Sequence, residues 1–331
     1  MKILTCLYTA ANAHESLLLR SFHSGIEKYF RAIFGNITNI DLNKNHNISL
    51  NLHYDSIVPK CDLAIQFGAA KPRANDHHVC RQSVRDNARH IMHIETPFLG
   101  RTISAGNKYK YYRVGVDGYL NGQDAFLSDF DLDRSNQVLE DLDLVQWQGW
   151  NNTQRESILV LLQLPGDTSL RNMDMGQWCM DVIERIRAIT NRKIVVRLHP
   201  AMSQKGQQEF LQNISSVILK NWKDVYWSSG HDQTLEKALK NSSVCISHSS
   251  GSAIDAILQG VPVITTDQGS LAYPISSHFV EDLVDPKCAD SQEVHDWLCT
   301  LAQNQWTEME MRQGLVWRAW WEKIQDLCSK S

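Results

Sequence analysis

Four apolar runs of strand length, with segments of helical periodicity between them, constrain this chain more than any other feature. They are SILVLLQL from Ser157, KIVVRLHP from Lys193, SVCISH from Ser243 and VPVITTD from Val261. A strand covered on both faces has no polar side to alternate with, so it reads as a continuous apolar run. A half-exposed antiparallel strand would show period-two alternation instead. Between the runs lie DMGQWCMDVIERIRAIT, with Trp178, Val182, Ile183 and Ile186 on one side, then TLEKALKNS, and SAIDAILQG ending at Gly260. Strand alternating with helix predicts an α/β class with a doubly wound parallel sheet.

The first half carries a looser copy of the same pattern. KILTCLY reads as a strand and HESLLLRSFHSGIEKYFRAIF as a helix. CDLAIQFGA reads as a buried strand ending in Gly68, VCRQSVRDNARH as a helix, and HIMHIET as a strand stopped by Pro97. The stretch from about Gln123 to Thr153 is acidic, rich in Asn and Gln, and interrupted, so it is predicted to be a linker. The C-terminal QEVHDWLCTLAQNQWTEMEMRQGLVWRAWWEKIQDL reads as two or three Trp-rich helices. A chain of 331 residues has room for two cores. The expectation is two Rossmann-like domains, residues 1–150 and 151–310, followed by a C-terminal helix at 311–331.

Composition removes several classes. No run of about 18 apolar residues exists, so no membrane span is expected. Polar residues interrupt the N-terminal MKILTCLYTAANAHESLLL, and no small-residue cleavage site follows it, so it reads as a strand and loop rather than a signal peptide. The eight Cys are scattered without C-x-x-C spacing, which fits reduced thiols and a cytoplasmic location. The thirteen His include no metal-ligand spacing, so no metal is expected. There is no Walker A lysine motif, no G-x-G-x-x-G and no G-x-S-x-G, which removes P-loop ATPases, NAD enzymes and nucleophile-elbow hydrolases.

In a doubly wound sheet, ligands bind beyond the carboxyl ends of the strands. Here the strand ends carry QLPGDTSL, RLHP, SHSSGS and TTDQGS. One such loop is ordinary turn chemistry; several aimed at one edge point to an anion. In SHSSGSAIDA, the residues Ser249, Ser250, Gly251 and Ser252 precede a helix, where bare N–H groups favour phosphate oxygens. Simple N-capping competes with this reading, but capping needs one Ser. Asp255 stands one turn into the helix, placed either for ribose hydroxyls or as first-turn compensation of the dipole. Arg197 and His199 alternate along the RLHP strand and so share a face. They suit a phosphate, with a structural ion pair and a core histidine as the competing reading.

RKIVVRLHP followed by SVCISHSSGSAIDAILQGVPVITTDQGSLAYP resembles the donor half of GT-B glycosyltransferases, bacterial capsule Kdo transferases and UDP-sugar-processing enzymes among them. With QLPGDTSL, DQGSLAYP and LAQNQWTEMEMRQGLVW added, the chain resembles phage-encoded, DNA-modifying glycosyltransferases over roughly Glu95 to Trp317. The resemblance implies two Rossmann-like domains facing a cleft, with the last helix crossing back to the first domain. It implies a nucleotide-sugar co-substrate, a UDP-sugar first, with no tightly bound cofactor and no metal. Arg197, His199, Ser249, Ser250, Gly251 and Ser252 would meet the diphosphate and Asp255 the ribose. Gln163, Asp167 and Ser169 would line the cleft, and Asp267, Gln268, Gly269 and Ser270 would contact the sugar. Many relatives carry Glu where this chain has Asp255.

The first half should then supply an acceptor site and a general base. Glu95, ending HIMHIET, is the first candidate and Asp117 in VDGYLNG the second, with His14 and Glu15 after them. Glu95 also reads as half of an ion pair with Arg101 or Arg113, and VDGYLNG as a plain turn. The net charge is −4, yet Lys71, Arg73, Arg81, Arg85 and Arg101 fall in a segment dominated by positive charge. That segment and the resemblance point to DNA as acceptor, through the hydroxymethyl group of a modified pyrimidine flipped from the duplex. A cell-surface polysaccharide or lipid-linked glycan is the alternative acceptor. A non-catalytic nucleotide-sugar or DNA-binding module is the alternative class.

Overall fold

The computed structural model describes residues 3–6, 13–34, 50–53, 57–68, 76–101, 109–122, 125–128, 131–144, 147–151, 155–221, 223–229 and 233–330. The chain divides into two compact units. The first comprises Met1–Tyr119, Gln123–Leu142 and Cys299–Ser331; the second comprises Leu120–Gly122 and Asp143–Leu298. The break thus falls at Leu142, ahead of the sequence-based boundary at 150, and the chain rejoins the first unit at Cys299 rather than at 311.

The first unit begins with β1 (Ile3–Cys6), α1 (Ala13–Phe34), β2 (Leu50–His53), β3 (Cys61–Phe67), α2 (Asp76–Asn87), β4 (Ala88–Glu95), β5 (Tyr112–Val116) and α3 (Leu132–Asp141). The second unit holds β6 (Ser157–Leu161), α4 (Met175–Ile189), β7 (Lys193–Arg197), α5 (Gln204–Asn221), β8 (Val225–Ser228), α6 (Leu235–Lys240), β9 (Ser242–Ser247), α7 (Ser252–Leu258) and β10 (Val263–Thr265). α8 (Ser291–Gln303) leads back, and β11 (Gln305–Trp306), α9 (Glu308–Gln313) and α10 (Leu315–Ser329) complete the first unit. The predicted α/β class and its two Rossmann-like sheets are what the structure has.

The second sheet has the order β10-β9-β6-β7-β8, with every pair parallel. The chain lays β6, β7 and β8 outward in one direction, then returns to the other side of β6 for β9 and β10. The order therefore reverses between β6 and β9. Burial explains the apolar runs: Ile158, Leu159 and Val160 of β6 and Cys245 and Ile246 of β9 are fully covered. On α4, Trp178, Val182, Ile183 and Ile186 pack into the same core, as their spacing predicts.

The first sheet has the order β11-β5-β4-β3-β1-β2. β1 to β4 are parallel, whereas β5 runs antiparallel to β4 and β11 antiparallel to β5. The purely parallel first sheet expected from sequence is corrected there. α1 and α10 cover this sheet: Phe22 meets Trp317 edge-on at 5.1 Å, and Trp317 Nε1 donates to the Phe22 carbonyl at 3.2 Å. The predicted linker is also corrected, because it contains α3. Asp131 caps that helix by accepting from the Arg134 N–H at 3.0 Å, and Ser135, Val138 and Leu139 form its buried face. Arg134 then binds the Glu310 carboxylate at 2.8 Å and the Gln305 carbonyl at 2.7 Å, with its guanidinium 3.7 Å from the Trp306 ring centre. Among the described residues no helix is long and apolar enough to cross a membrane.

Candidate functional site

The strand order of the second sheet reverses between β6 and β9, and in such sheets ligands bind at the crevice flanked by the two loops that leave there. Here the structure brings together residues from both. Gln163 Oε1 accepts the Ser249 N–H at 2.9 Å, while its Nε2 donates to Ser169 Oγ at 2.9 Å and to Ser249 Oγ at 3.2 Å. Ser249 Oγ donates to the Ser169 carbonyl at 3.2 Å. Asp167 Oδ1 accepts from both the N–H and the hydroxyl of Ser169, at 3.0 and 2.8 Å. Gln163 and Ser249 are buried. The hydroxyls that the sequence assigned to a ligand thus staple two loops to each other.

What the staple leaves at the crevice is backbone. Ser250 Oγ accepts the Ser252 N–H at 3.2 Å, and Gly251 precedes α7 without a side-chain cap. Among the described residues nothing accepts from the N–H groups of Ser250 and Gly251. Asp255 lies half-buried on α7. Arg197 ends β7, is buried, and donates to the Ser229 carbonyl at 3.3 Å. His199 is half-buried, and its Nδ1 accepts the Ala201 N–H at 3.2 Å.

The loop after β10 is held as tightly. Asp267 Oδ1 accepts the Gly269 N–H, and Arg171 donates to both oxygens of the Asp267 carboxylate. The Ser270 side chain is fully buried, and its Oγ accepts the Ala272 N–H at 3.3 Å, so it shapes a turn. Gln268 is exposed, and its carbonyl accepts from Asn121 Nδ2 at 2.9 Å. His248, Thr266, Trp178 and Arg171 also enter this cluster, and the sequence reading assigned none of them a site role. His248 Nε2 lies 3.3 Å from Asp267 Oδ2 and its Nδ1 3.2 Å from Thr266 Oγ1, to which Trp178 Nε1 donates at 2.9 Å. The available signal was His248's place inside SHSSGS.

In the first unit Glu95 closes β4 at the carboxyl edge of the parallel strands. Its Oε2 accepts the Thr96 N–H at 3.2 Å and faces Arg113 at 3.9 Å, so one predicted ion-pair partner is present. Tyr112 starts β5 at the same edge and hydrogen-bonds His14 Nε2. Glu15, also half-buried, follows His14 in the first turn of α1. Asp117 is elsewhere. It ends β5 beside the start of β4, at the opposite edge from Glu95. Its carboxylate accepts the Ile91 N–H at 2.8 Å and meets His90 Nδ1 at 2.6 Å. With φ at 57° it shapes a turn. Of the basic segment, Lys71 and Arg73 lie outside the described residues. Arg81 donates to the Phe67 carbonyl at 3.0 Å, Arg85 donates to Gln82 at 2.5 Å, and Arg85 and Arg101 are exposed.

Burial holds the imidazoles of His93 and His248 below their ordinary range. Below about pH 6.5 the unfolded chain gains protons that the folded one refuses, so stability is present above that pH and is lost as pH falls. Each group adds a slope of at most about 1.4 kcal/mol per pH unit. Urea unfolding between pH 7.5 and 5.5 should show the decline, and the double variant His93→Gln/His248→Gln should flatten it. An unchanged slope in the double variant would remove these two histidines as its origin.

No family model and no curated protein matches the chain. Among solved structures it is similar to the beta Kdo 2,7 transferase KpsC of Thermosulfurimonas dismutans, at 12% identity over 96% of this chain and 99% of that one, with a TM-score of 0.48. The beta Kdo 2,4 transferase KpsC of the same organism is 14% identical over 81% of this chain and 96% of that one, with a TM-score of 0.39. S. aureus MnaA, solved with UDP, is 11% identical over 97% of this chain and 96% of that one, with a TM-score of 0.34.

Proposed function

We propose that the protein is a GT-B glycosyltransferase that moves a sugar from a nucleotide-sugar donor, a UDP-sugar first, to a hydroxyl acceptor. The reading is carried by one observation: at the reversal of strand order between β6 and β9, the stapled loops leave the N–H groups of Ser250 and Gly251 without an acceptor among the described residues. Buried or half-buried donors without partners are costly, and a diphosphate supplies the oxygens they lack. Asp255, on the helix that follows, is the group for the ribose. Glu95, at the corresponding edge of the first sheet, is the base that takes the acceptor proton.

The acceptor is the hydroxymethyl group of a modified pyrimidine in DNA, on the strength of the sequence resemblance and the basic segment around Arg85 and Arg101. The buried thiols Cys179 and Cys245 suit a reducing cytoplasm. Thermal melting against nucleoside diphosphates and UDP-sugars, with and without hydroxymethylated DNA or oligosaccharide, tests the whole reading. At 100 times its dissociation constant, a ligand of the folded state adds about 2.7 kcal/mol. A shift with nucleotide that grows with DNA supports the full proposal. Growth with oligosaccharide instead moves the acceptor to glycans, and no shift with any nucleotide overturns the donor site.

A further inference from the structure

His248 Nε2 faces Asp267 Oδ2 at an ion-pair distance of 3.3 Å. A carboxylate only accepts, so its charge favours the tautomer that carries the proton on Nε2. Burial disfavours the charged form of the ring. Nδ1 is therefore the acceptor, and Thr266 Oγ1 at 3.2 Å is the hydroxyl that donates to it. Trp178 Nε1 has only a donor to offer, and it fills a lone pair of the same Thr266 oxygen at 2.9 Å. Trp178 donates to Thr266, Thr266 donates to His248, and the far side of the His248 ring faces the Asp267 carboxylate. The carboxylate is fixed further by the Gly269 N–H on Oδ1.

Arg171 completes the cluster. Asp267 engages only Nη2 of its guanidinium. Arg171 Nη1 and Nε have no partner among the described residues, and the side chain is 45% exposed. It follows Ser169, whose carbonyl holds Ser249, so it stands beside the crevice between β6 and β9. Arg171 and Asn172 both adopt left-handed backbone, at φ 49° and 69°. Asn tolerates that region but Arg does not favour it, so the loop is held against its local preference at Arg171.

We propose that Arg171 is an anion-contacting residue of this crevice, and that His248 is a positioning residue acting on it through Asp267. The ligand class is a phosphate or diphosphate ester, which accepts from the two guanidinium nitrogens that Asp267 leaves open. This rests on the donor site placed in the second unit, and it adds a cation that the sequence reading did not include.

The spectroscopic test uses the full chain without ligand. Nitrogen-15 shifts of the His248 ring should report the neutral Nε2–H tautomer at pH 7. An Nδ1–H tautomer or an imidazolium would overturn the relay. The binding test uses UDP and inorganic pyrophosphate as probes. Arg171→Gln and His248→Leu should each weaken both about tenfold. His248→Gln, which keeps a donor at the Nε2 position, should stay within about threefold of the parent protein. Melting temperatures of the variants separate lost binding from lost fold. UDP binding unchanged in Arg171→Gln and His248→Leu would overturn this inference and leave the donor site standing. Pyrophosphate binding that depends on Arg171, with no added affinity for UDP, would keep the inference and remove the nucleotide. Binding of neither probe would remove both.

Discussion

Gly25→Ala is expected to cost the first unit about 3 kcal/mol or more, against a gain of about 1 kcal/mol in helix propensity. Gly25 sits inside α1, where the helix touches the turn between α9 and α10 backbone to backbone. A Cβ there would lie 1.9 Å from the Met311 carbonyl oxygen and 3.1 Å from the Gly314 Cα. Neither is the flexible end of a side chain that could swing away. Gly314 returns the constraint: it is left-handed at φ 85°, and its own Cβ would lie 2.6 Å from the Gly25 carbonyl oxygen. The Met311 carbonyl already accepts the Gly314 N–H at 3.2 Å, so it cannot retreat without breaking the helix end. Gly206 in α5 is the internal control. A Cβ there meets only the Ser203 hydroxyl at 3.2 Å and the Met202 side chain at 3.4 Å, so Ala should be neutral or stabilising by up to about 1 kcal/mol. Urea unfolding should fall well below the parent midpoint for Gly25→Ala and stay at or above it for Gly206→Ala. If Gly25→Ala unfolds at the parent midpoint, α1 does not lie on this turn as described.

The alternation of β6 to β10 with their helices was legible because both faces of that sheet are covered, which erases any competing period. The first sheet was less legible. β11 is only two residues, Gln305 and Trp306, and its place depends on Arg134 and on pairing with β5, both distant in sequence. α3 was hidden by its own surface: an exposed acidic face reads as linker, and three small buried contacts are too few to show a period. At the candidate site, residue types pointed to loops that the fold brings together, but not to which polar atoms those loops use on each other. Gln163, Ser169 and Ser249 came together, yet their polar atoms are spent on one another. Composition cannot tell a hydroxyl that will face a ligand from one that will face a neighbouring loop, because that depends on register between strands. An antiparallel β5 places Asp117 at the opposite edge of the sheet from Glu95, and the sequence reading had assigned that segment no strand.

Glu95→Gln is expected to lower transfer by about 10²- to 10⁴-fold, the usual contribution of a general base. The amide keeps the size and the acceptor oxygen of the carboxylate but cannot take the acceptor hydroxyl's proton. Nucleotide binding on the second unit should be unchanged, so the loss should fall on kcat and not on donor KM. The geometry favours this position over its neighbours. Glu95 ends β4, and its Oε1 faces Gly68, where a Cβ would lie only 3.8 Å from it. Gly68 is left-handed at φ 76°, follows β3 and presents no side chain to crowd the carboxylate. The rival role is structural, since Arg113 lies 3.9 Å from Oε2 and Thr96 donates to it. The two roles separate cleanly. If Glu95 only holds Arg113, then Glu95→Gln and Arg113→Gln should resemble each other, with a small loss of stability and turnover within a few-fold of the parent. If Glu95 is the base, Glu95→Gln should lose turnover by about 10²- to 10⁴-fold, while Arg113→Gln should stay within a few-fold of the parent. Release of UDP from a UDP-sugar in the presence of the acceptor identified by melting, measured for both variants, separates the two outcomes. Turnover by Glu95→Gln within threefold of the parent would take the base away from β4 and return the search to His14 and Glu15.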